Sequence, residues 1–257
     1  ADALGTAGYA PGVARLNIPA QQQSDASLGV APGPNPRPER EHVTAFPASI
    51  ALACGWDPDL AEEVGKAVGA EARARGINIM LAGGVNLARD PRCGRNFEYV
   101  GEDPLLAGHI AGRAIKGIQS QHVVSTIKHF ALNAQETGRN LVDETIDEGA
   151  LQESDLLAFK IAIEIGAPGS VMCAYNKING EYASQNKRLL HDILKHDWRY
   201  PGWVMSDWGS VYSTREALLA GLDQQSGYEL DGKPYFGAPQ KALAETDKDV
   251  VARIDDA

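Results

Sequence analysis

Short apolar runs alternate with stretches of helical periodicity along most of the 257-residue chain. The runs have the length of buried strands, about four to eight residues, and the stretches between them repeat apolar residues every three or four positions. Strands are predicted over residues 12–18, 77–81, 123–130, 170–175 and 203–206. Strands that are separated by helices pair in parallel through right-handed crossovers. The pattern therefore predicts an α/β fold with a parallel sheet.

Two of the helices have clear start signals. Asp57-Pro58 and Asp103-Pro104 each place an N-cap aspartate before a proline at the first helical position, and Gly76 is expected to end the first helix. Further helices are expected over residues 148–165, 186–196, 211–220 and 247–257. The alternation favours a barrel or a doubly wound sheet, and a (β/α)8 barrel typically needs about 250 residues.

Two segments do not follow the alternation of strands and helices. Residues 31–40, APGPNPRPER, contain four prolines and are predicted to form an irregular surface loop. Beyond Gly227 the chain is polar and contains glycine until the last helical pattern. We expect residues 1–257 to form one domain, with residues 228–257 as its C-terminal edge.

Composition and charge narrow the class of ligand. The chain is 44% hydrophobic and 23% charged, as in soluble globular proteins with a sizeable core. Its net charge of −10 disfavours nucleic acid and anionic membranes, which attract clusters of lysine and arginine. The apolar runs are far shorter than the roughly 18 residues of a membrane-spanning helix. We expect a neutral or cationic small ligand, with neither a nucleic acid nor a membrane as a partner.

Several chemically useful side chains follow the ends of the predicted strands, where a parallel α/β fold places its functional site. They comprise two carboxylates, three basic side chains and an aromatic ring: Asp25, Arg95, Lys128, His129, Tyr175 and Asp207. Such a set suits a polyhydroxylated neutral ligand. The histidines, cysteines and aspartates do not have metal-ligand spacing, so neither a metal nor another cofactor is expected.

Each of these residues also has a plain structural interpretation. Asp207, after the apolar run WVMS, has the sequence context of a turn or N-cap aspartate, and so has Asp25. Lys128 is open to three interpretations: a Schiff-base nucleophile, a donor to hydroxyl groups or a surface cation. Arg95 and Glu98 have the spacing of a simple ion pair.

At these residues the chain resembles glycoside hydrolase family 3, of the β-glucosidase type, and the similarity extends over nearly its whole length. The motifs that carry it are GTAGYAPGVARLNIPAQQQSDASLGV, TAFPASIALACGWDPDLAEEVG, GRNFEYVGEDPLLAG, KHFALNAQETGRN, SVMCAYNKING and VMSDWG. In the first motif DAS stands where the family often has DGP. The resemblance implies the N-terminal domain of the family, a (β/α)8 barrel with irregular first strands.

The resemblance also implies an activity and a set of site residues. A retaining β-glucosidase would release terminal β-D-glucosyl residues from β-glucosides and cello-oligosaccharides, with Asp207 as the nucleophile that forms a glycosyl ester. Asp25 would accept hydrogen bonds from the sugar, and Arg139 would lie near the nucleophile. The other substrate-binding residues implied are Arg95, Lys128, His129, Met172, Tyr175 and Trp208, with Trp208 as an apolar platform.

In most β-glucosidases of this family the acid/base glutamate belongs to an α/β sandwich domain that follows the barrel, and we expect this chain to lack that domain. The family's N-acetylglucosaminidases use a histidine in a KHFPGHG segment instead, and KHFALNAQET lacks it. The resemblance further implies a periplasmic or secreted protein. The alternatives are a β-xylosidase, an exo-β-glucan hydrolase, a Schiff-base aldolase that uses Lys128, and a truncated barrel that binds sugar without turnover.

Overall fold

The computed structural model describes residues 7–25, 28–31 and 42–257, and the following account refers to them. The strands are β1 (Gly8–Ala10), β2 (Gln21–Asp25), β3 (Ile79–Leu81), β4 (Val124–Phe130), β5 (Asp143–Glu144), β6 (Ser170–Cys173), β7 (Lys177–Ile178), β8 (Glu181–Tyr182) and β9 (Trp203–Met205). The α-helices are α1 (Ser49–Ala53), α2 (Pro58–Ala74), α3 (Pro104–Gln119), α4 (Glu148–Glu153), α5 (Asp155–Gly166), α6 (Arg215–Ala220), α7 (Ala238–Ala244) and α8 (Lys248–Asp256), and a π-helix spans Arg188–Asp197.

The main sheet has the strand order β1-β2-β3-β4-β6-β9. Neighbouring strands are parallel except β1 and β2, which are connected by the loop of residues 11–20 and run antiparallel. The structure is therefore an α/β fold with a curled mixed sheet. The full (β/α)8 barrel expected from the sequence is not confirmed, because the described residues contribute six strands to this sheet and no helix separates the first two.

Side chains bring the two ends of the curled sheet together. A Cβ atom placed on Gly8 of β1 would lie 3.0 Å from Cζ2 of Trp208, which follows β9. Ala7 and Trp208 also pack against a buried cluster inside the sheet: Ile79, Leu81, Met172 and Met205. The sheet consequently encloses an apolar centre although its edge strands do not pair with each other.

Helices α2, α3 and α5 cover the outer face of the sheet and bury the main hydrophobic core. Small residues let these helices approach each other closely, and a Cβ on Gly69 of α2 would lie 2.6 Å from the carbonyl oxygen of Ile118 in α3. Both predicted N-caps are confirmed, since the carboxylates of Asp57 and Asp103 accept hydrogen bonds from the first turns of α2 and α3. None of the helices in the described ranges is long and apolar enough to cross a membrane.

The strand predicted over residues 12–18 is wrong. This stretch forms a loop with a 3-10 turn over Ala14–Leu16, and Asn17, at φ 56°, closes the turn. The apolar side chains that suggested a strand, Leu16 and Ile18 among them, are exposed. The strand instead begins at the polar sequence QQQSD, because Asn78 accepts a hydrogen bond from the backbone of Gln22 and aligns β2 with β3.

Most other elements lie close to their predicted positions. The helix predicted over 148–165 is broken at Ser154, and the one predicted over 211–220 begins only at Arg215. The proline-rich loop predicted at 31–40 lies outside the described residues apart from Ala31. The C-terminal edge contains α7 and α8, and Arg253 of α8 forms an ion pair with Asp223, which also accepts a 2.8 Å hydrogen bond from Lys195.

Candidate active site

The carboxyl ends of three neighbouring parallel strands carry the central group of site residues. Lys128 and His129 lie near the carboxyl end of β4, Tyr175 follows β6 by two residues, and Asp207 follows β9 by two residues. All four are buried. Because β6 pairs with both β4 and β9, these side chains meet at one edge of the sheet.

Asp207 is a buried carboxylate with one satisfied oxygen. Its Oδ1 accepts a 2.8 Å hydrogen bond from the backbone N–H of Trp208, whereas its buried Oδ2 is not held by a comparably well-formed hydrogen bond from the described residues. Burial raises the pKa of this carboxyl group, although the Trp208 N–H, the charges of Lys128 and Arg95, and the nearby Tyr175 hydroxyl, which can donate to the carboxylate, oppose the shift. Oδ2 is thus a carboxylate oxygen that is available to a ligand.

Glu98 connects two of the predicted substrate-binding cations. It lies in a 3-10 turn, is only 4% exposed, and forms an ion pair with Arg95 through Oε1. Its Oε2 lies 3.4 Å from Nζ of Lys128. The ion pair expected from the Arg95 and Glu98 spacing is present, and it also fixes a lysine of the neighbouring strand.

His129 is a neutral ring in this cluster. Burial lowers its pKa well below the usual value, and the positive charges of Arg95, Lys128 and Arg139 lower it further. Its Nε2 lies 2.9 Å from a terminal nitrogen of Arg95 and 3.6 Å from Oδ2 of Asp207. Since the ring is uncharged, the contact with Asp207 is not an ion pair.

Arg139 and Glu136 form the side of the site that faces Tyr175. The guanidinium carbon of Arg139 lies 4.0 Å from the centre of the Tyr175 ring, which is a cation–π contact. Glu136 accepts a 2.6 Å hydrogen bond from Arg139 and lies 3.9 Å from Arg95. Burial and the nearby charge of Asp207 raise the pKa of Tyr175, so its hydroxyl is a neutral donor.

Trp208 and Met172 form the apolar part of the site. Met172 is buried inside the sheet beside Met205, whereas Trp208 packs on the same cluster and stays partly exposed. Gly227, at φ 62°, lies directly against the Trp208 ring, and a Cβ there would overlap the ring. The indole is therefore held in place next to the carboxylate.

Asp25 is the predicted site residue with the least contact to this group. It is the last residue of β2, in register with Leu81 of β3, and its side chain is exposed. It shares the carboxyl edge of the sheet with Lys128 and Asp207, which belong to strands two and four places along the stated order. Residues 26 and 27, which follow it, lie outside the described part of the chain.

Three buried polar residues behind the site escaped the sequence analysis: Asn86, Tyr99 and Asn133. Asn86 is hydrogen-bonded to the backbone of His129, and the Tyr99 hydroxyl donates to the carbonyl oxygen of Asn133. A lone asparagine inside the apolar run GGVNL is the available sequence signal for the first. Among the described residues, His, Cys, Asp and Glu side chains do not gather in groups of three or more that fit a metal ion.

Residues 14–223 match the sequence profile described as the glycosyl hydrolase family 3 N terminal domain. Thermostable β-glucosidase B of Acetivibrio thermocellus is 44% identical over 222 residues, which are 82% of this chain and 29% of that protein. β-Glucosidase B of Emericella nidulans is 50% identical over 183 residues, 70% of this chain and 22% of that protein. The chain thus spans less than a third of these curated relatives.

Solved structures give the same result for the fold. β-Glucosidase 3B from Thermotoga neapolitana in complex with glucose superposes with a TM-score of 0.90 at 40% identity, covering 98% of this chain and 37% of that one. DesR, a β-glucosidase from Streptomyces venezuelae in complex with D-glucose, superposes with a TM-score of 0.89 at 36% identity, covering 98% and 33%. The chain belongs to glycosyl hydrolase family 3 and corresponds to the N-terminal domain of that family.

Proposed function

We propose that this chain supplies the sugar-binding pocket and the nucleophile of a retaining β-glucosidase. The observation that carries the proposal is the open Oδ2 of Asp207, a buried carboxylate oxygen surrounded by Arg95, Lys128, His129 and Tyr175. The attacking oxygen of a nucleophilic carboxylate needs a lone pair that is free to reach the anomeric carbon. Oδ2 meets this requirement, while Oδ1 is held by the Trp208 N–H.

Retaining hydrolysis proceeds in two displacements. Asp207 attacks the anomeric carbon, the C–O bond to the leaving group breaks, and a general acid protonates the leaving oxygen. Water then attacks the glycosyl ester, and the same group, now a base, removes its proton. The buried negative charge of Asp207 stabilises the oxocarbenium-like transition states of both steps, because few water molecules screen it.

The basic residues suit the hydroxyl groups of a pyranose. Arg95 and Lys128 are oriented by Glu98 and donate charge-assisted hydrogen bonds, and Arg139 supplies a third donor beside Tyr175. Asp25 accepts from the hydroxyls on the far side of the ring, and Trp208 contacts an apolar sugar face. Such contacts hold the anomeric carbon in line with Oδ2.

The acid/base residue is proposed to come from an α/β sandwich domain of a longer protein, as the family resemblance implies. In that protein residues 1–257 form the catalytic barrel domain, residues 228–257 are its C-terminal edge, and the curled sheet is part of a (β/α)8 barrel. The relatives named β-glucosidase are about three times as long as this chain, which supports the proposal. We place the protein in the periplasm or outside the cell, and fractionating cells that express the natural gene tests this.

The substrate is proposed to be a β-glucoside or a cello-oligosaccharide, and the relatives solved with glucose bound support glucose in the pocket. A β-xylosidase or an exo-β-glucan hydrolase would use the same nucleophile, and kcat/KM on matched glucosides, xylosides and glucans separates them. A Schiff-base role for Lys128 is disfavoured, since its ammonium pairs with Glu98 and a protonated amine is not nucleophilic. Borohydride trapping with a keto substrate should leave Lys128 unmodified.

Covalent labelling tests the proposal directly. Dinitrophenyl 2-deoxy-2-fluoro-β-glucoside should transfer its fluoroglucosyl group to Asp207, because the leaving group departs without an acid and the fluorine slows hydrolysis of the ester. Peptide mapping identifies the labelled residue, and Asp207→Asn serves as the unlabelled control. A label on another carboxylate would overturn the assignment. Glucose binding by calorimetry without any labelling would favour a sugar-binding module that performs no turnover.

A further inference from the structure

Asn86 pairs with His129 through both of its amide atoms. Nδ2 of Asn86 donates to the carbonyl oxygen of His129 at 2.8 Å, and the His129 N–H donates to Oδ1 of Asn86 at 2.8 Å. The two residues are 43 positions apart, and both are buried. Asn86 therefore replaces a strand partner for the backbone of His129 near the end of β4.

The same Oδ1 atom also faces the imidazole ring. It lies 3.3 Å from Nδ1 of His129, and the hydroxyl oxygen of Tyr99 lies 3.4 Å from that nitrogen. The Tyr99 hydroxyl gives its hydrogen to the carbonyl oxygen of Asn133, so it presents a lone pair to the ring. Both neighbours of Nδ1 are thus acceptors, and they require a hydrogen on Nδ1.

The other ring nitrogen has the opposite environment. Nε2 lies 2.9 Å from a guanidinium nitrogen of Arg95, which is only a donor. A hydrogen on Nε2 would point at this donor, whereas a lone pair accepts from it. A neutral imidazole carries one hydrogen, and the two sides of the ring agree on where it lies.

We propose that Asn86 is a positioning residue that holds His129 in the Nδ1–H form, so that Nε2 accepts from Arg95 and cannot donate to Asp207. This inference rests on the proposed function only for its catalytic consequence. An Nε2–H group would be repelled by Arg95 and would favour a small rotation of the ring that lets it donate to Oδ2 of Asp207, 3.6 Å away, and so occupy a nucleophilic lone pair. Asn86 thereby keeps the attacking oxygen free.

The charges around the ring support a single neutral form. Arg95, Lys128 and Arg139 face it with positive charge, Asp207 faces it with negative charge, and Tyr99 contacts it edge-on. Burial opposes protonation of the ring, and these three cations oppose it further although they also pair with Glu98 and Glu136. The pKa of His129 is accordingly well below the usual value.

Nitrogen-15 NMR of the chain labelled at histidine tests the assignment without turnover. The chain has six histidines, and His129 is buried whereas the other five are exposed. The His129 signals are identified by their loss in His129→Gln, and Nδ1 should show the shift of a protonated nitrogen. A proton on Nε2 would overturn the proposal.

Variants at Asn86 test whether this residue sets the tautomer. Asn86→Ala removes the acceptor, and a detectable Nε2–H fraction of His129 is expected. Asn86→Asp keeps the acceptor, so it should restore the Nδ1–H form and shift the titration of His129 to higher pH. Asn176→Ala is the matched control, because Asn176 is an equally buried asparagine that bonds to Ala131 and Lys177 instead. An unchanged tautomer in a folded Asn86→Ala variant would contradict the role of Asn86.

The catalytic consequence is measured as the rate of Asp207 labelling by the dinitrophenyl fluoroglucoside. In the Asn86→Ala variant, a new hydrogen bond from His129 to the attacking oxygen should slow the labelling of Asp207 about 10-fold or more. This factor corresponds to the free energy of one charge-assisted hydrogen bond. Glucose affinity should change much less, and Asn86→Asp should recover part of the rate. A wild-type chain that is not labelled would refute the proposed function, while the NMR experiment would still decide the tautomer.

Discussion

His129 lies 3.6 Å from Asp207 through Nε2 and Oδ2, yet the imidazole is neutral and the pair is not an ion pair. The unfolded chain binds a proton at His129 below a pH of about 6.5, whereas the folded protein does not until far lower pH. Stability from this residue is therefore fully present above that pH and is lost as the pH falls. The free energy of unfolding should drop by up to about 1.4 kcal/mol per pH unit.

Urea unfolding from about pH 7.5 to about pH 5, a range that extends roughly 1.5 units below the usual histidine pKa of about 6.5, measures this loss. His129→Gln should remove this part of the slope, while His109→Gln, at an exposed position of α3, should keep it. The raised pKa of Asp207 acts in the opposite direction, because protonation of that carboxyl group favours the folded state. The difference in slope between each variant and wild type gives the contribution of that histidine to the pH dependence of the free energy of unfolding. Equal slopes for all three proteins would mean that His129 is charged in the fold.

Glu98→Gln should destabilise the protein strongly. The substitution keeps the shape of the side chain but leaves the Arg95 and Lys128 cations without their shared buried partner. Removing one partner of a buried ion pair typically costs about 3 to 5 kcal/mol. The free energy of unfolding in urea measures the loss. Glu63→Gln is the control, since Glu63 is mostly exposed, pairs with Lys66 at 2.7 Å, and should cost about 1 kcal/mol or less.

Gly227→Ala should displace the Trp208 ring. Gly227 has a φ of 62°, so alanine carries the strain of the left-handed region, roughly 1 to 2 kcal/mol, and its Cβ also overlaps the indole. Gly232, at φ 76°, has open space around its Cβ, so Gly232→Ala carries the backbone strain alone. The first variant should lose more stability and show altered tryptophan fluorescence and weaker glucose binding. Equal effects in both variants would show that Trp208 does not depend on Gly227.

The sequence predicted the elements whose residues are apolar on both faces. β3, β6 and β9 are mostly apolar runs, and β4 keeps Val124, Ile127 and Phe130 among its polar residues, because helices cover one side of the sheet and side chains fill the other. β2 was missed because its sequence QQQSD is polar, and its alignment depends on Asn78, more than 50 positions away. The antiparallel β1 was also missed, because a strand of three residues is too short to show a repeating pattern of apolar and polar positions.

The sequence allowed the identities of the site residues to be predicted, but much less of their spatial arrangement. Strand-end positions and the family motifs indicated Lys128, His129, Tyr175 and Asp207, and the structure brings these together. Asn86 shows what the sequence could not supply. Its hydrogen bonds to His129 depend on how two neighbouring strands align, and that alignment is a property of the packed sheet.

Residues 1–257 alone should hydrolyse alkyl β-glucosides very poorly. General acid catalysis typically contributes about 100- to 10,000-fold, and an alkoxide leaving group needs it most. Two further carboxylates of the described residues deserve comparison, Glu136 and Glu144. Glu136 is bound to Arg139 at 2.6 Å and to Asn133, so both of its oxygens are already engaged.

Glu144 is the stronger rival acid, because burial and the neighbouring Asp155 raise its pKa. It lies in β5, which forms a separate three-stranded sheet with β7 and β8. The charges that act on it are those of Asp155, Arg89 and Asp143, not those around Asp207. A general acid has to reach the leaving oxygen on the face of the anomeric carbon opposite the nucleophile, the same face from which water later attacks, and the two carboxyl groups of retaining enzymes are about 5 to 5.5 Å apart. Because these neighbours lie in β5, in helix α5 and at Arg89 rather than around Asp207, an acid role for Glu144 is disfavoured.

A dinitrophenyl glucoside tests whether the acid/base residue lies outside residues 1–257, as proposed, or whether the sugar pocket itself is incomplete. Its leaving group departs without protonation, so Asp207 should still become glycosylated, and the ester should persist if this chain does not supply the base that activates water. Azide needs no base and should speed release of the sugar as a glucosyl azide. The measurement is dinitrophenolate release with and without azide, set beside alkyl glucoside turnover. Efficient alkyl glucoside turnover that is lost in Glu136→Gln or Glu144→Gln would place the acid within this chain. No reaction with the dinitrophenyl substrate would contradict the proposal that this chain supplies both the sugar-binding pocket and the nucleophile.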